Sequence, residues 1–456
     1  MEKLNLQEII SAVHGSYGYP ADVEISDIST DTRTIKPGSL FIALKGENFD
    51  GHDFAAKAME LGAEAVVTER PVEGARCVIV DSTAKALLDC AGYYRSKFGV
   101  KVVGITGSVG KTTTKDMIAL VVAQKYKTLK TQGNHNNEIG MPLTLFGLDK
   151  SYEAAVIEMG MSHEGEISRM SMCCQPDVAV ITNIGVSHIE NLGSQENILK
   201  AKLEILDGAS YSAPLILSRD DKLLAGVQIH SDRKIYYYSI SKKDCDVYAS
   251  GVKTADNGIT FTINYEGGKI PARINCLGEH NVKNALAAFC VGLALDIAPE
   301  DIVKGIGEFK PEGLRQNITV KDGVTYIVDC YNAAPDSMKA SLSVLSQAQA
   351  DGKRICVLAD MLELGKNAKT YHKNVGEYVQ ASKADLLYCF GENSQMYIEG
   401  AVKKGFNADN CRHFDSREEL AEALGKVIAK GDAVLFKGSR GMKLEEVYNA
   451  LTSSTE

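Results

Sequence analysis

The stretch Val102-Val103-Gly104-Ile105-Thr106-Gly107-Ser108-Val109-Gly110-Lys111-Thr112-Thr113 decides the fold. Its first five residues form an apolar run of the kind that fills a parallel strand buried on both faces. A glycine-rich turn follows, and a helix is expected over 112–123. Strand, turn and helix in that order make a phosphate site. Glycines let backbone N–H groups wrap a phosphate, and the helix N-terminus adds positive potential. Lys111 can neutralise β- and γ-phosphate charge, and the Thr112 hydroxyl can ligate Mg2+. Full Walker spacing asks for glycine at 105, where Ile105 stands. The loop is therefore a shortened G-x-x-G-K-T form with Gly107 as its upstream glycine. A glycine-rich turn carrying a surface lysine is the plainer alternative, disfavoured by the strand and helix on either side.

Two more apolar runs, 154–158 and 178–182, read as neighbours of this strand. Such a loop needs a carboxylate for Mg2+ at the end of a nearby strand. Glu158 ends the first run and is the candidate. His188 lies just beyond the carboxyl end of the second, where α/β sites are built. A neutral imidazole there could bind a second Mg2+, although Mg2+ prefers oxygen. Lys202 falls on a helix expected over 196–206. Beside two Mg2+ ions its ammonium would be pushed toward the free amine, and a free amine can take up CO2 as a metal-bridging carbamate. A solvated lysine is the alternative that spacing alone does not remove.

The pattern changes over 246–275. Alternating residues broken at Asp256-Asn257-Gly258 and Glu266-Gly267-Gly268 read as antiparallel hairpins added to the α/β core. Helices over 281–295 and 299–307 close this part. Upstream, Pro37-Gly38 marks a turn before a strand at 39–44, with a helix over 53–61 and a strand at 65–67. A helix over 83–97 leads out. Downstream of Gly313, strand candidates at 326–329, 355–358, 386–390 and 433–436 alternate with helices, which argues a doubly wound parallel sheet. Polar groups sit at the carboxyl ends of these strands: Asp329, Asp360, Gly391-Glu392 and Lys437-Gly438-Ser439-Arg440. The expected class is α/β with three domains: a small one (1–83), a P-loop sheet with added antiparallel strands (84–312), and a Rossmann-like domain (313–456).

Length agrees, since 456 residues at roughly 150 per domain gives about three. A net charge of −9 argues against a nucleic-acid or anionic-membrane binder. Aromatics at 7% with no Trp disfavour base or sugar stacking platforms. The 11 Cys are scattered, without CxxC spacing, and read as reduced thiols of a cytoplasmic protein. The N-terminus has no secretory pattern, and the longest apolar run, 285–295, is too short to span a bilayer.

These motifs, in this order, resemble the Mur ligases, the ATP-dependent amide-forming family of peptidoglycan precursor synthesis. The resemblance covers all three domains. It implies that Gly107, Ser108, Val109, Gly110, Lys111, Thr112 and Thr113 hold ATP. Thr112, Glu158, His188 and a carbamylated Lys202 would hold two Mg2+. Gly278-Glu279-His280-Asn281-Val282-Lys283-Asn284-Ala285 is similar to the nucleotide-contact helix, with Asn281 on adenine. Gly313-Leu314-Arg315 and Asp329 resemble the Arg and Asp that reach ATP from the third domain.

Four segments narrow the resemblance to the member that adds D-alanyl-D-alanine to UDP-N-acetylmuramoyl-tripeptide. They are Thr30-Asp31-Thr32-Arg33 with Pro37-Gly38-Ser39-Leu40-Phe41, Gly51-His52-Asp53-Phe54, Thr131-Gln132-Gly133-Asn134-His135-Asn136-Asn137-Glu138-Ile139-Gly140-Met141-Pro142, and Asp360-Met361-Leu362-Glu363-Leu364-Gly365. The Asp-Asn-Pro-Arg signature of the diaminopimelate-adding sibling is absent. Thr30, Asp31, Arg33, Asn134, Asn137 and Arg440 become the substrate-binding candidates. The sequence departs from the pattern twice: Val328 replaces a usual Asp before Asp329, and Ala334 replaces a usual Asn in Tyr331-Asn332-Ala333-Ala334-Pro335. The implied partners are two small-molecule substrates, with no nucleic acid, no membrane and a monomeric chain. Alternatives are a sibling ligase adding a single amino acid, a folate polyglutamylating relative, and, from another class, a P-loop nucleotide switch.

Overall fold

The strand Lys101–Thr106 lies inside a nine-stranded sheet, and the site is built at its carboxyl end. The protein is described from a computed structural model covering residues 1–229, 232–255, 258–311 and 313–453. On one side of Lys101–Thr106 runs Ala154–Glu158, in register Ile105 to Glu158. On the other runs Val178–Ile181, in register Thr106 to Ile181. All three are parallel, so their carboxyl ends open on the same edge. Thr128–Lys130 closes the sheet beyond Ala154–Glu158. Leu215–Ser218, Ile235–Ser239 and Val247–Ala255 extend it in parallel on the opposite side. Gly258–Tyr265 and Gly268–Ile274 then pair antiparallel, as the alternating pattern predicts. Of the two hairpin turns, Asp256 and Asn257 lie outside the described residues; the other is present, with Gly267 at φ +103°.

The first part carries a four-stranded parallel sheet, Asp27–Ser29, Ser39–Ile42, Ala63–Thr68 and Cys77–Ile79 in that order. The last part carries a six-stranded sheet. Its edge strand Asn317–Lys321 is antiparallel to Val324–Asp329. Ala433–Lys437, Arg354–Ala359, Leu386–Phe390 and Cys411–Phe414 continue it in parallel. All four strands expected here are found.

Leu4–Asn5, Glu24–Ile25, Asp27–Ser29 and Cys77–Ile79 of the first part were not anticipated. Nor were five strands of the two larger sheets: Thr128–Lys130, Leu215–Ser218, Ile235–Ser239, Asn317–Lys321 and Cys411–Phe414. Three of them are sheet edges with one unpaired side, and they carry polar residues that blunt an apolar pattern. The other two sit inside the nine-stranded sheet, but the apolar run at Leu215-Ile216-Leu217 is only three residues long.

Helix Thr83–Ser96 starts on an Ser82 cap, whose side chain accepts from Lys85 N. It buries Leu87, Cys90, Ala91 and Tyr94 completely. These residues belong to one hydrophobic core that runs from Leu4 in the first part to Leu224 in the central part. The other face of the central sheet packs on Lys111–Val122 and Glu279–Ala294 in a second core. The last sheet has two cores of its own, one on each face. All 11 cysteines are free, nine of them buried, in agreement with the reduced-thiol reading.

Candidate active site

The glycines of the phosphate loop are required by geometry. Gly107 has φ +152°, and a Cβ there would run into Thr182 Oγ1 at the end of the neighbouring strand. Gly110 has φ +79° at the start of the helix, a left-handed conformation that side chains resist. The loop is braced from the Val178–Ile181 strand end. Ser108 N donates to Asn183 O at 3.1 Å and Val109 N to Asn183 Oδ1 at 3.0 Å. Thr182 Oγ1 and Asn183 Nδ2 donate to Val109 O at 2.8 and 2.9 Å. The loop is thus held in shape by the protein itself.

Lys111 Nζ donates to Gly107 O at 2.9 Å and arches over the loop. Burial pushes its ammonium below the usual lysine value; Glu158 opposes that shift and Arg315 adds to it. Glu158 is 1% exposed. Its Oε1 accepts from Thr112 Oγ1 at 3.2 Å and from Asn136 Nδ2 at 2.8 Å. Its Oε2 is buried with no hydrogen-bond partner among the described residues. A buried, unpartnered carboxylate oxygen is costly unless something occupies it. Beside a threonine hydroxyl and a glycine-rich loop, a hard cation fits that oxygen. No group of three or more His, Cys, Asp or Glu gathers as a metal cage among the described residues.

A cleft of about 1250 Å3 opens over this edge. Its walls bring together Ser108 to Thr113, Glu158, His188, Arg315 and Asp329. Asn137 lines it too, together with Ser82 from the first part and Lys437 from the last. Residues far apart in sequence therefore converge on one cleft.

Other candidates are placed differently. Lys202 does not line the cleft; it is 2% exposed on helix Gln195–Leu203. Burial, with Lys111 adding to it, drives its amine well below the ordinary lysine value. His188 sits at φ +62°, ahead of a short helix. Its Nδ1 is 3.0 Å from Glu363 Oε2, close enough to attract but out of line for a hydrogen bond. Asn281 is 1% exposed and turned inward. Its Nδ2 donates to Leu277 O at 2.7 Å and to Gln316 Oε1 at 2.8 Å. The helix residues that line the cleft are His280, Lys283 and Asn284.

Thr30, Asp31, Arg33, Asn134 and Arg440 lie outside this cleft. The Arg33 guanidinium grips Asp31 and holds its carboxyl down at about 2. Arg440 Nη1 pairs with Glu445 Oε1 at 2.5 Å. On the last sheet, Arg315 stacks 3.6 Å from the Tyr331 ring centre. Asp329 Oδ2 accepts from Ser341 Oγ at 2.5 Å and faces buried Lys437 at 3.1 Å. Ala334 is 6% exposed at the start of helix Pro335–Gln347. Its N–H donates to Ser337 Oγ at 3.0 Å.

The sequence reading passed over Asn136, Lys115 and Gln316. Asn136 lay inside a quoted segment, but nothing local says which of its asparagines turns toward Glu158. Lys115, 2% exposed, donates to Thr131 O at 2.7 Å, and Thr131 Oγ1 accepts from Glu158 N at 3.0 Å.

Comparisons with known proteins identify the family. Residues 24–92 match "Mur ligase family, catalytic domain", 105–292 "Mur ligase middle domain", and 315–440 "Mur ligase, glutamate ligase domain". The chain belongs to the Mur ligase family. This Mur ligase is 41% identical to the UDP-N-acetylmuramoyl-tripeptide--D-alanyl-D-alanine ligase of Bacillus subtilis, over 100% of this chain and 99% of that one. It is 34% identical to the Escherichia coli protein of the same name, over 99% of each. Among solved structures it is similar to MurF from Acinetobacter baumannii, with TM-score 0.92 and 32% identity over 99% of both chains. The MurF ligase from Thermotoga maritima in complex with ADP gives 0.84 and 28%, over 94% of this chain and 97% of that one.

Proposed function

We propose that this Mur ligase joins D-alanyl-D-alanine to UDP-N-acetylmuramoyl-tripeptide at the cost of one ATP, releasing ADP and phosphate, in peptidoglycan precursor synthesis. The observation that carries the reading is one cleft walled by a phosphate loop, a half-satisfied buried Glu158 and the third-sheet groups Arg315 and Asp329. Full-length identity of 41% to a relative with that name supports the choice of substrates.

The chemistry has two steps. A carboxylate oxygen of the tripeptide attacks the γ-phosphorus of ATP, ADP leaves, and an acyl phosphate forms. The amine of the dipeptide then attacks the acyl carbon, the amide bond forms, and phosphate and a proton leave. Two anions must meet in the first step. Lys111 and the N–H groups of residues 107–113 carry charge that develops there. Thr112 and Glu158 Oε2 would hold Mg2+, with His188 beside them for a second ion; bound metal offsets phosphate charge. Lys202 as its carbamate is part of this reading, supported by a buried amine held toward the neutral form that CO2 requires. The remaining work is positioning of three substrates.

The division of labour follows the sheets. Residues 1–83, with Thr30, Asp31 and Arg33, take the UDP-sugar. Residues 84–312 take ATP, with Asn134 and Asn137 on the tripeptide and the cleft-lining His280, Lys283 and Asn284, in place of the inward-turned Asn281, beside the nucleotide. Residues 313–456 close with the dipeptide, bringing Arg315 and Asp329 to ATP and Arg440 to the acceptor carboxylate. The protein acts as a cytoplasmic monomer; no helix among the described residues is long and apolar enough to cross a membrane.

One assay tests the proposal. ATP and UDP-MurNAc-tripeptide are incubated with D-Ala-D-Ala or with single amino acids, and the product is identified by mass. A dipeptide adduct with stoichiometric phosphate is expected. A single-residue adduct, or phosphate release indifferent to the acceptor, overturns it.

A further inference from the structure

Glu158 can present a free oxygen to a cation only if its other oxygen is held still. Thr112 Oγ1 reaches Oε1 at 3.2 Å, but in the reading above that hydroxyl is itself wanted by the metal. The remaining partner is Asn136 Nδ2, at 2.8 Å. Asn136 is no free rotor. Its carbonyl accepts from Gly160 N at 2.7 Å, and its N–H donates to Asn134 O at 2.7 Å. Its amide plane also lies flat against Gly160. A Cβ added there would meet Asn136 Cγ and Nδ2 at 3.2 Å and Oδ1 at 3.3 Å, close enough to press the amide aside by a few tenths of an ångström. Asn136 is therefore gripped by the backbone just beyond Glu158 while its side chain grips the Glu158 carboxylate. Lys115 holds the approach to this loop from behind through Thr131 O.

From this geometry we infer that Asn136 is a positioning residue of the metal centre. It fixes the Glu158 carboxylate so that Oε2 faces the cation. It also ties that carboxylate to the asparagine-rich loop, whose Asn137, Glu138 and Ile139 line the cleft. The loop and the metal ligand then move as one body, so an occupied loop orders the carboxylate. The inference rests on Glu158 being a metal ligand. Partners that orient ligating carboxylates typically matter by about 10- to 100-fold in metal affinity.

The test uses full-length protein with ADP and titrates Mn2+, reading free Mn2+ by electron paramagnetic resonance, with Mg2+-dependent turnover measured beside it. Asn136→Leu keeps the volume and removes the donor. It should weaken Mn2+ by about 10-fold or more and raise the Mg2+ needed for half-maximal rate in proportion. KM for UDP-MurNAc-tripeptide, measured at saturating Mg2+, should change far less. Gly160→Ala leaves Asn136 chemically intact but displaces it, and should give the same signature at smaller amplitude; it also serves if Asn136→Leu does not fold. Glu158→Gln separates the two layers of the argument. If it binds Mn2+ as tightly as the wild type, the metal-ligand reading itself fails. If it loses Mn2+ while both other variants bind normally, the role given to Asn136 is wrong. A rise confined to the tripeptide KM would likewise make Asn136 a substrate contact instead.

Discussion

The first and last parts of the chain meet the central sheet in opposite ways. Helix Thr83–Ser96 and the strands before it share a continuous hydrophobic core with the central part, from Leu4 to Leu224. The last sheet has its own two cores, reached from the centre by only Leu277 and Val186, and otherwise touches the centre through polar contacts. Gln316 Nε2 donates to Leu277 O at 2.9 Å, Gly278 N donates to Gln347 Oε1 at 3.1 Å, and Glu363 faces His188. Separating an apolar interface exposes surface at about 25 cal/mol per Å2, whereas polar contacts exchange with water at little net cost. One joint is therefore the firmer, and the proposed function has the other one move. The site chemistry divides the same way. The loop, Lys111 and Glu158 are assembled beforehand. Arg315 rests on Tyr331, and Asp329 is engaged by Ser341 and Lys437.

The largest effect should come from the preassembled side. Lys111→Ala is expected to lower phosphate release by about a thousandfold or more, since nothing else in the loop carries its charge. Substantial turnover in a phosphate-release assay would show that the loop does not hold the γ-phosphate. Next comes Lys202→Ala, expected to be severe but partly restored by short carboxylates such as formate or acetate. An equally dead enzyme with and without them would remove the carbamate from the scheme. On the moving side, Arg315→Ala should reduce kcat by about 100-fold while binding of ADP, measured by calorimetry, changes little. Equal loss in both would mean that Arg315 is already on the nucleotide before closure.

The stability prediction separates the joints. Leu87, fully buried in the shared core, should cost about 2–5 kcal/mol when cut to alanine. In a calorimetric scan the first and central parts should melt together and earlier, with the last part unmoved. Independent melting of the first part alone would break the comparison. The smallest effect belongs to Glu363→Gln, at most about fivefold on kcat, because the pair it removes is half in water. His188 holds the Glu363 carboxyl below its ordinary value. The Glu363 side of the pair is therefore lost as pH falls through that lowered value.

Much of this was legible along the chain. Four of the six strands of the last sheet were readable because each is an apolar run flanked by turn residues and buried on both faces. The phosphate loop was readable because its glycines answer a local demand, positive φ and close approach to Thr182. Edge strands such as Asn317–Lys321 escaped, since Val320 is 70% exposed and the pattern there is polar.

Within the site, residue type was legible and orientation was not. Asn281 stood out by its motif, yet its amide is spent on Leu277 and Gln316. Asn136 looked like one asparagine among several until Gly160 and Glu158 closed on it.

The sequence by itself determined three α/β parts, the shortened phosphate loop and the carboxylate, histidine and lysine that accompany it. Those rest on local rules: backbone conformation at glycine, apolar runs of strand length, and charge placed where strands end. Only the tertiary structure decided that the first part is welded to the centre, that Lys202 lies buried beneath the cleft, and that Glu158 keeps one oxygen free. Each of those outcomes depends on a partner tens of residues away, and burial and hydrogen-bond satisfaction are set by whichever groups the fold brings into contact.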